Sequence, residues 1–161
     1  MTTINIICVG KLKESFWREA VAEYAKRITK YASINTIELS ESKLSDKPSD
    51  KEIEQALISE ARAMDVYLNQ NHAYNIAMCI EGKIISSEEL AKTIDNASVS
   101  GFSTVNFIIG SSFGLAKSVK DRSHFKLSMS KMTFPHQLAR VMLSEQIYRA
   151  LSINVNAKYH K

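Results

Sequence analysis

The buried-strand pattern Phe107-Ile108-Ile109 runs straight into Gly110-Ser111-Ser112-Phe113-Gly114-Leu115, and this junction constrains the fold more than any other stretch. A glycine directly after an apolar strand lets a ligand approach the backbone with no Cβ in the way. Open α/β sheets bind their ligands at the carboxyl ends of strands. A second junction follows closely, Leu127-Ser128-Met129-Ser130-Lys131-Met132-Thr133-Phe134-Pro135-His136. Two strand-to-loop junctions so close together imply one ligand crevice.

The rest of the chain supports an α/β reading. Ile4 to Val9 reads as a buried strand. Phe16, Trp17, Ala20, Val21, Tyr24, Ala25 and Ile28 then recur with helical period. Ser33 to Leu39 alternates as a second strand, and Ser40 to Asp50 is polar and loop-like. Ser49 with Glu52 forms a capping box and opens a helix whose apolar face is Ile53, Ala56, Leu57, Ala61, Met64 and Leu68. Ala73 to Ile80 is a third strand, Glu81-Gly82 a turn, and Ser86 with Glu89 a second capping box. Thr104 to Ile109, a short helix over Leu115 to Asp121, and Phe125 to Met129 follow, with Pro135 early in the last helix. Strands separated by helices predict a mostly parallel sheet with helices on both faces, in a single domain over residues 1–161.

Phosphate-binding motifs are absent. A P-loop needs G-x-x-x-x-G-K-[ST], whereas Gly110 and Gly114 are four apart and Leu115-Ala116 stands where the lysine pair belongs. Charge points instead to a polyanion: from Lys117 onward nine Lys/Arg face only Asp121 and Glu145, a local +7 within a net +4. Such asymmetry favours an RNA partner near the crevice. Cys8 and Cys79 lie in apolar runs without a C-x-x-C or Cys/His cluster, so they read as reduced, buried packing residues, and no metal is expected. With no apolar run long enough to span a membrane and no signal-peptide pattern at the start, the expected location is cytoplasmic. His72 and His124 read as surface residues.

The last helix carries unusual chemistry. His136 and Arg140 share a face at its start, and Glu145 and Arg149 are spaced for an ion pair nearer its end. Leu138, Val141, Met142, Leu143, Ile147 and Leu151 cover more than one face. Such a helix wants burial on two sides, by a partner subunit or by the centre of a monomer.

A resemblance joins these features. Val9-Gly10-Lys11-Leu12-Lys13, Ile108-Ile109-Gly110 with Gly114-Leu115, Ser130 to His136, Arg140-Val141, Glu145-Gln146-Ile147-Tyr148-Arg149-Ala150 and the terminal Tyr159-His160-Lys161 resemble the ribosomal RNA large-subunit methyltransferase H family, a minimal branch of the SPOUT superfamily. The likeness spans the whole chain. It implies a C-terminal deep trefoil knot, a homodimer, and methylation by S-adenosylmethionine of N3 of a pseudouridine in helix 69 of 23S rRNA, on the ribosome. A SPOUT enzyme acting on another RNA, such as a transfer RNA, and a non-catalytic RNA-binding module are the alternatives.

By position, the resemblance puts cofactor contacts on Met78, Gly110 and the loop Met129, Ser130, Lys131, Met132, Thr133 and Phe134. Met78, Met132 and Leu115 would flank the adenine. Members of the family commonly carry two successive glycines after the fourth strand, and Ser111 stands in place of the second here. Removing the N3 proton leaves negative charge on the base, which Arg140 would stabilise. His136 or His160 would accept the proton. Tyr159, His160 and Lys161 would stack on a base and contact phosphate, with further phosphate contacts from Lys117, Lys120, Arg122 and Lys126.

Overall fold

The computed structural model describes residues 1–160. In chain order the elements are β1 (Thr3–Val9), α1 (Ser15–Ile28), β2 (Ser33–Leu39), α2 (Asp50–Leu68), β3 (Ala73–Ile84), α3 (Ser87–Val99), β4 (Thr104–Ile109), α4 (Lys117–Asp121), β5 (Phe125–Ser128) and α5 (His136–Asn154). The strands form one parallel sheet in the order β2-β1-β4-β3-β5.

Every residue of β4 is buried, as its apolar composition requires of a strand covered on both faces. Alternate side chains then feed two cores. Ile4, Ile6, Cys8, Phe107 and Ile109 meet Ile28 of α1, Leu90 and Ile94 of α3, and Leu143 and Ile147 of α5. Ile7, Val9, Ala77 and Ile108 meet Met64 and Leu68 of α2 and Val119 of α4. Each fully buried side chain of the Ile or Phe class contributes roughly 1.5–3 kcal/mol. Both expected capping boxes form, with Ser49 and Glu52, and Ser86 and Glu89, exchanging hydrogen bonds.

Four asparagines fix the sheet register. Asn35 donates to Asn5 at 2.9 Å, Asn5 to Asn106 at 2.8 Å, and Asn106 to Asn75 at 2.8 Å, one rung per strand across β2-β1-β4-β3. Asn75 and Asn106 then donate to the carbonyls of Leu68 and Tyr67 at the end of α2. A one-residue slip would leave buried amides unpaired, at about 1–3 kcal/mol each.

Several boundaries differ from the sequence reading. Glu81-Gly82 is not a turn before a helix: β3 continues to Ile84, and its pairing with β5 shifts so that Met78 and Lys83 both face Leu127. Residues 79–82 bulge between them. A Cβ on Gly82 would stand 2.6 Å from the Leu127 carbonyl carbon, so only glycine admits this approach. The bulge also lifts Cys79 out of full burial, while Cys8 is buried and its thiol is pushed up to about 11 by that burial. Helix α4 starts two residues late because Leu115 and Ala116 extend into the core under α2. Pro135 caps α5 from outside it. His124 is exposed, as expected of a surface residue, yet its Nδ1 accepts the Asn75 N–H at 2.9 Å and its ring stacks on Tyr74 at 4.8 Å.

Candidate active site

A cavity of about 230 Å³ opens at the carboxyl ends of β3, β4 and β5. The chain reaches it twice. After β4, the backbone folds back so that Gly114 N–H donates to the Ser111 carbonyl at 2.8 Å, and a Cβ on Gly110 would overlap the Gly114 carbonyl. After β5, the loop is braced by its own hydroxyls: Ser128 Oγ donates to the Ser130 carbonyl at 3.0 Å, and Met132 N–H donates to Ser130 Oγ at 3.1 Å. Met78, Leu127 and Leu143 give the cavity apolar walls, while Ser112, Ser130 and Thr133 supply hydroxyls. Of the residues expected to hold a cofactor, Met78, Gly110, Met129, Ser130, Met132, Thr133 and Phe134 line it. Lys131 is exposed and outside the lining, and Leu115 is buried in the core beneath α2. His136 lines the cavity too, exposed at the first residue of α5.

Arg140 lies elsewhere. Its side chain is 5% exposed, and it donates to Glu38 Oε2 at 2.9 Å and to the Gly10 carbonyl at 3.1 Å. The same Glu38 oxygen accepts the Leu12 N–H at 3.2 Å. Thus Arg140 ties the start of α5 to the ends of β1 and β2. Within this chain the guanidinium meets Glu38 rather than standing free at the cavity.

The tail through His160 is docked against the helices. Asn156 adopts φ 54°, and the N–H groups of Asn156 and Ala157 donate to the carbonyls of Ile153 and Ser152, a helix C-cap that turns the tail back over α5. Tyr159 packs edge-on against Tyr148 at 4.6 Å and donates its hydroxyl to Glu145 at 3.1 Å, with the Arg149 guanidinium 4.7 Å from its ring. Burial, then the Glu145 hydrogen bond, pushes the Tyr159 hydroxyl up. His160 Nε2 meets Glu88 at 2.7 Å. The Glu88 carboxyl is held down to about 2 by its own backbone N–H, by His160 and by Ser86. Lys161 lies outside the described residues. Arg149 was legible in sequence only as an ion-pair partner; nothing in its spacing announced the tyrosine.

At 100° per residue, positions 136, 139 and 143 of α5, which line the cavity, fall opposite 145, 148 and 149, which hold the tail. Within one chain the two clusters occupy opposite faces of the helix.

Residues 2–160 match the family model described as "Predicted SPOUT methyltransferase". The chain belongs to the SPOUT methyltransferase family. Its relatives include the ribosomal RNA large subunit methyltransferase H of Clostridium novyi (strain NT), 45% identical over 98% of this chain and 99% of that protein. The protein of the same name from Clostridium botulinum (strain Alaska E43 / Type E3) is 48% identical over the same shares. In fold, the chain is similar to the crystal structure of a probable methyltransferase from Bordetella pertussis Tohama I, with TM-score 0.54 at 12% identity, covering 93% of this chain and 95% of that one.

Beyond the cavity and the tail, this SPOUT chain offers less free positive charge than its sequence implies. Lys117 pairs with Asp121, Lys120 with Glu81 and Arg122 with Asp65, leaving exposed Lys126 as the freer member of that group. Among the described residues no cluster of three or more His, Cys, Asp or Glu is placed to hold a metal. No described helix is long and apolar enough to cross a membrane.

Proposed function

We propose that this chain transfers a methyl group from S-adenosylmethionine to large-subunit ribosomal RNA, at N3 of a pseudouridine in helix 69 of the 23S molecule, acting on the ribosome in the cytoplasm. The observation that carries this reading is the cavity walled by both strand-to-loop junctions, in a chain whose relatives are named for ribosomal RNA. On this reading the two loops belong to a trefoil-knotted C-terminal part of a single domain.

The lining suits that cofactor. Met78, Leu127 and Leu143 offer apolar faces to a purine, and the hydroxyls of Ser112, Ser130 and Thr133 suit a ribose and the polar edge of the base. When bound, the cofactor supplies a methyl group already activated by its sulfonium. The protein then has to hold donor and acceptor in line and take the N3 proton. His136 at the cavity mouth and His160 in the tail are the two candidate acceptors. Tyr159 offers a stacking surface, and Arg149, which also holds Glu145 at 2.6 Å, a cation for the charge left on the base.

Because tail and cavity lie on opposite faces of α5, the reading requires a homodimer in which the tail of one chain completes the cavity of its partner. The middle of α5 favours this. Val141 and Met142 are half-buried and, with Tyr24, border a shallow groove of about 270 Å³ that a second copy can fill.

Mass spectrometry of ribosomal RNA from cells lacking the protein tests the reading: one N3 methyl group should disappear and return when the protein is added to the mutant ribosomes. A methyl missing from transfer RNA instead would move the substrate, and failure of the protein to bind S-adenosylmethionine by calorimetry would remove the enzyme.

A further inference from the structure

Helix α2 carries a carboxyl in its apolar stripe. Glu60 falls between Ala56 and Met64 on the buried face and is 4% exposed. Among the described residues no cation pairs with it. Burial pushes the carboxyl up, and Glu41 adds to the push. A buried acid without a cation is costly, so what it touches matters. Its Oε2 accepts from Ser111 Oγ at 3.0 Å, and its Oε1 accepts from Ser42 N–H at 3.3 Å. Ser111 is itself buried, lines the cavity, and accepts through its carbonyl the bond that closes the Gly110-to-Gly114 fold-back.

We propose that Glu60 is a positioning residue for cofactor binding: through Ser111 it pins the loop after β4 onto α2, and through Ser42 it joins that loop to the polar segment after β2. A serine after Gly110 thus gains a function. Its φ is not positive, so it needs no glycine-like backbone. Its hydroxyl gives the loop a side-chain anchor, which a residue with no side chain would lack. The inference rests on the cavity being the cofactor site.

Calorimetry with S-adenosylhomocysteine and steady-state kinetics on ribosomes test it. Ser111→Ala and Glu60→Ala should each weaken binding about five- to tenfold, the worth of one ordinary buried hydrogen bond, and the double variant should lose little more than either single one. The KM for the methyl donor should rise in step while kcat at saturation stays within about twofold. Glu60→Gln should recover most of the affinity, because its carbonyl can accept from Ser42 N–H while its amide donates to Ser111 Oγ. If Glu60→Ala does not fold, Ser111→Ala and Glu60→Gln carry the test. Wild-type affinity in Ser111→Ala, multiplied losses in the double variant, or a Gln variant as weak as Ala would overturn the proposal while leaving the cofactor site in place. Absence of binding by the unmodified protein would overturn the site and the proposal together.

Discussion

The cavity and the docked tail are built by different physics. The cavity is shaped mostly by backbone: two chain segments leave parallel strands, fold back tightly at Gly110 and Gly114, and bring hydroxyls and methionines along. The tail cluster is made of side chains from distant places, with Tyr159 over Arg149, its hydroxyl on Glu145, and His160 on Glu88 of another helix. A backbone-shaped site loses more when a Cβ is added than when a side chain is trimmed. A side-chain site does the reverse.

The largest effect should come from Gly110→Ala. The added Cβ overlaps the Gly114 carbonyl, which cannot swing away as a flexible side chain can. The distortion should weaken S-adenosylhomocysteine binding by about 2–3 kcal/mol, roughly 30- to 150-fold, with the Tyr159 ring resonances unmoved in NMR spectra. A change at both places would mean that the two regions are one cooperative unit.

Arg140→Ala should come next. Breaking a largely buried pair leaves Glu38 and the Gly10 carbonyl without their partner, and because Glu38 is 35% exposed the cost is discounted to about 2 kcal/mol. Thermal denaturation should show a drop of about 4–8 °C. If Arg140 instead touched substrate, activity would fall with no change in melting temperature.

Deletion of Lys158 to Lys161 sharpens the contrast further. Cofactor affinity should hold within about twofold, while methyl transfer in single-turnover assays should fall at least tenfold, still less than the roughly hundredfold or more that a positioned acid–base group contributes. Stability should fall by only about 1 kcal/mol, from loss of the Tyr148 contact. Normal turnover by the truncated protein would reduce the tail to a structural cap.

The smallest effect is a difference in pH response. Glu88 is held down to about 2 from an ordinary 4.5, so the tie it makes to the tail is fully present above about 4.5 and lost as pH falls towards 2. Glu60 is shifted the other way. Burial makes its ionisation cost stability as pH rises through the raised value, an effect that the bonds it accepts from Ser42 and Ser111 oppose. Acid should therefore release His160 while leaving the loop after β4 in place, which an NMR titration of both regions reads directly.

Much of the architecture was legible because it depends on local pattern. Buried strands, the helical periods of α1 and α2, and both capping boxes follow from residues close together in sequence, and so does a crevice after β4 and β5. The misses come from contacts distant in sequence. Glu81-Gly82 resembles a turn until β5 arrives beside it, and only Leu127 explains why that glycine belongs in a strand. Asn5, Asn35, Asn75 and Asn106 look like scattered polar residues until the strand order lays them side by side. Glu60 interrupts the apolar face of α2 without a local reason, since Ser42 and Ser111 lie 18 and 51 residues away. Arg140 reads as a free cation at a helix start, yet the register of β1 and β2 puts Glu38 and the Gly10 carbonyl within its reach. By itself, then, the sequence determined the elements, their alternation and the two loops that wall a cavity, because propensity and periodicity act over a few residues. Tertiary structure alone decided which polar groups pair, because a buried hydrogen bond depends on positions that only strand order and helix packing bring within 3 Å.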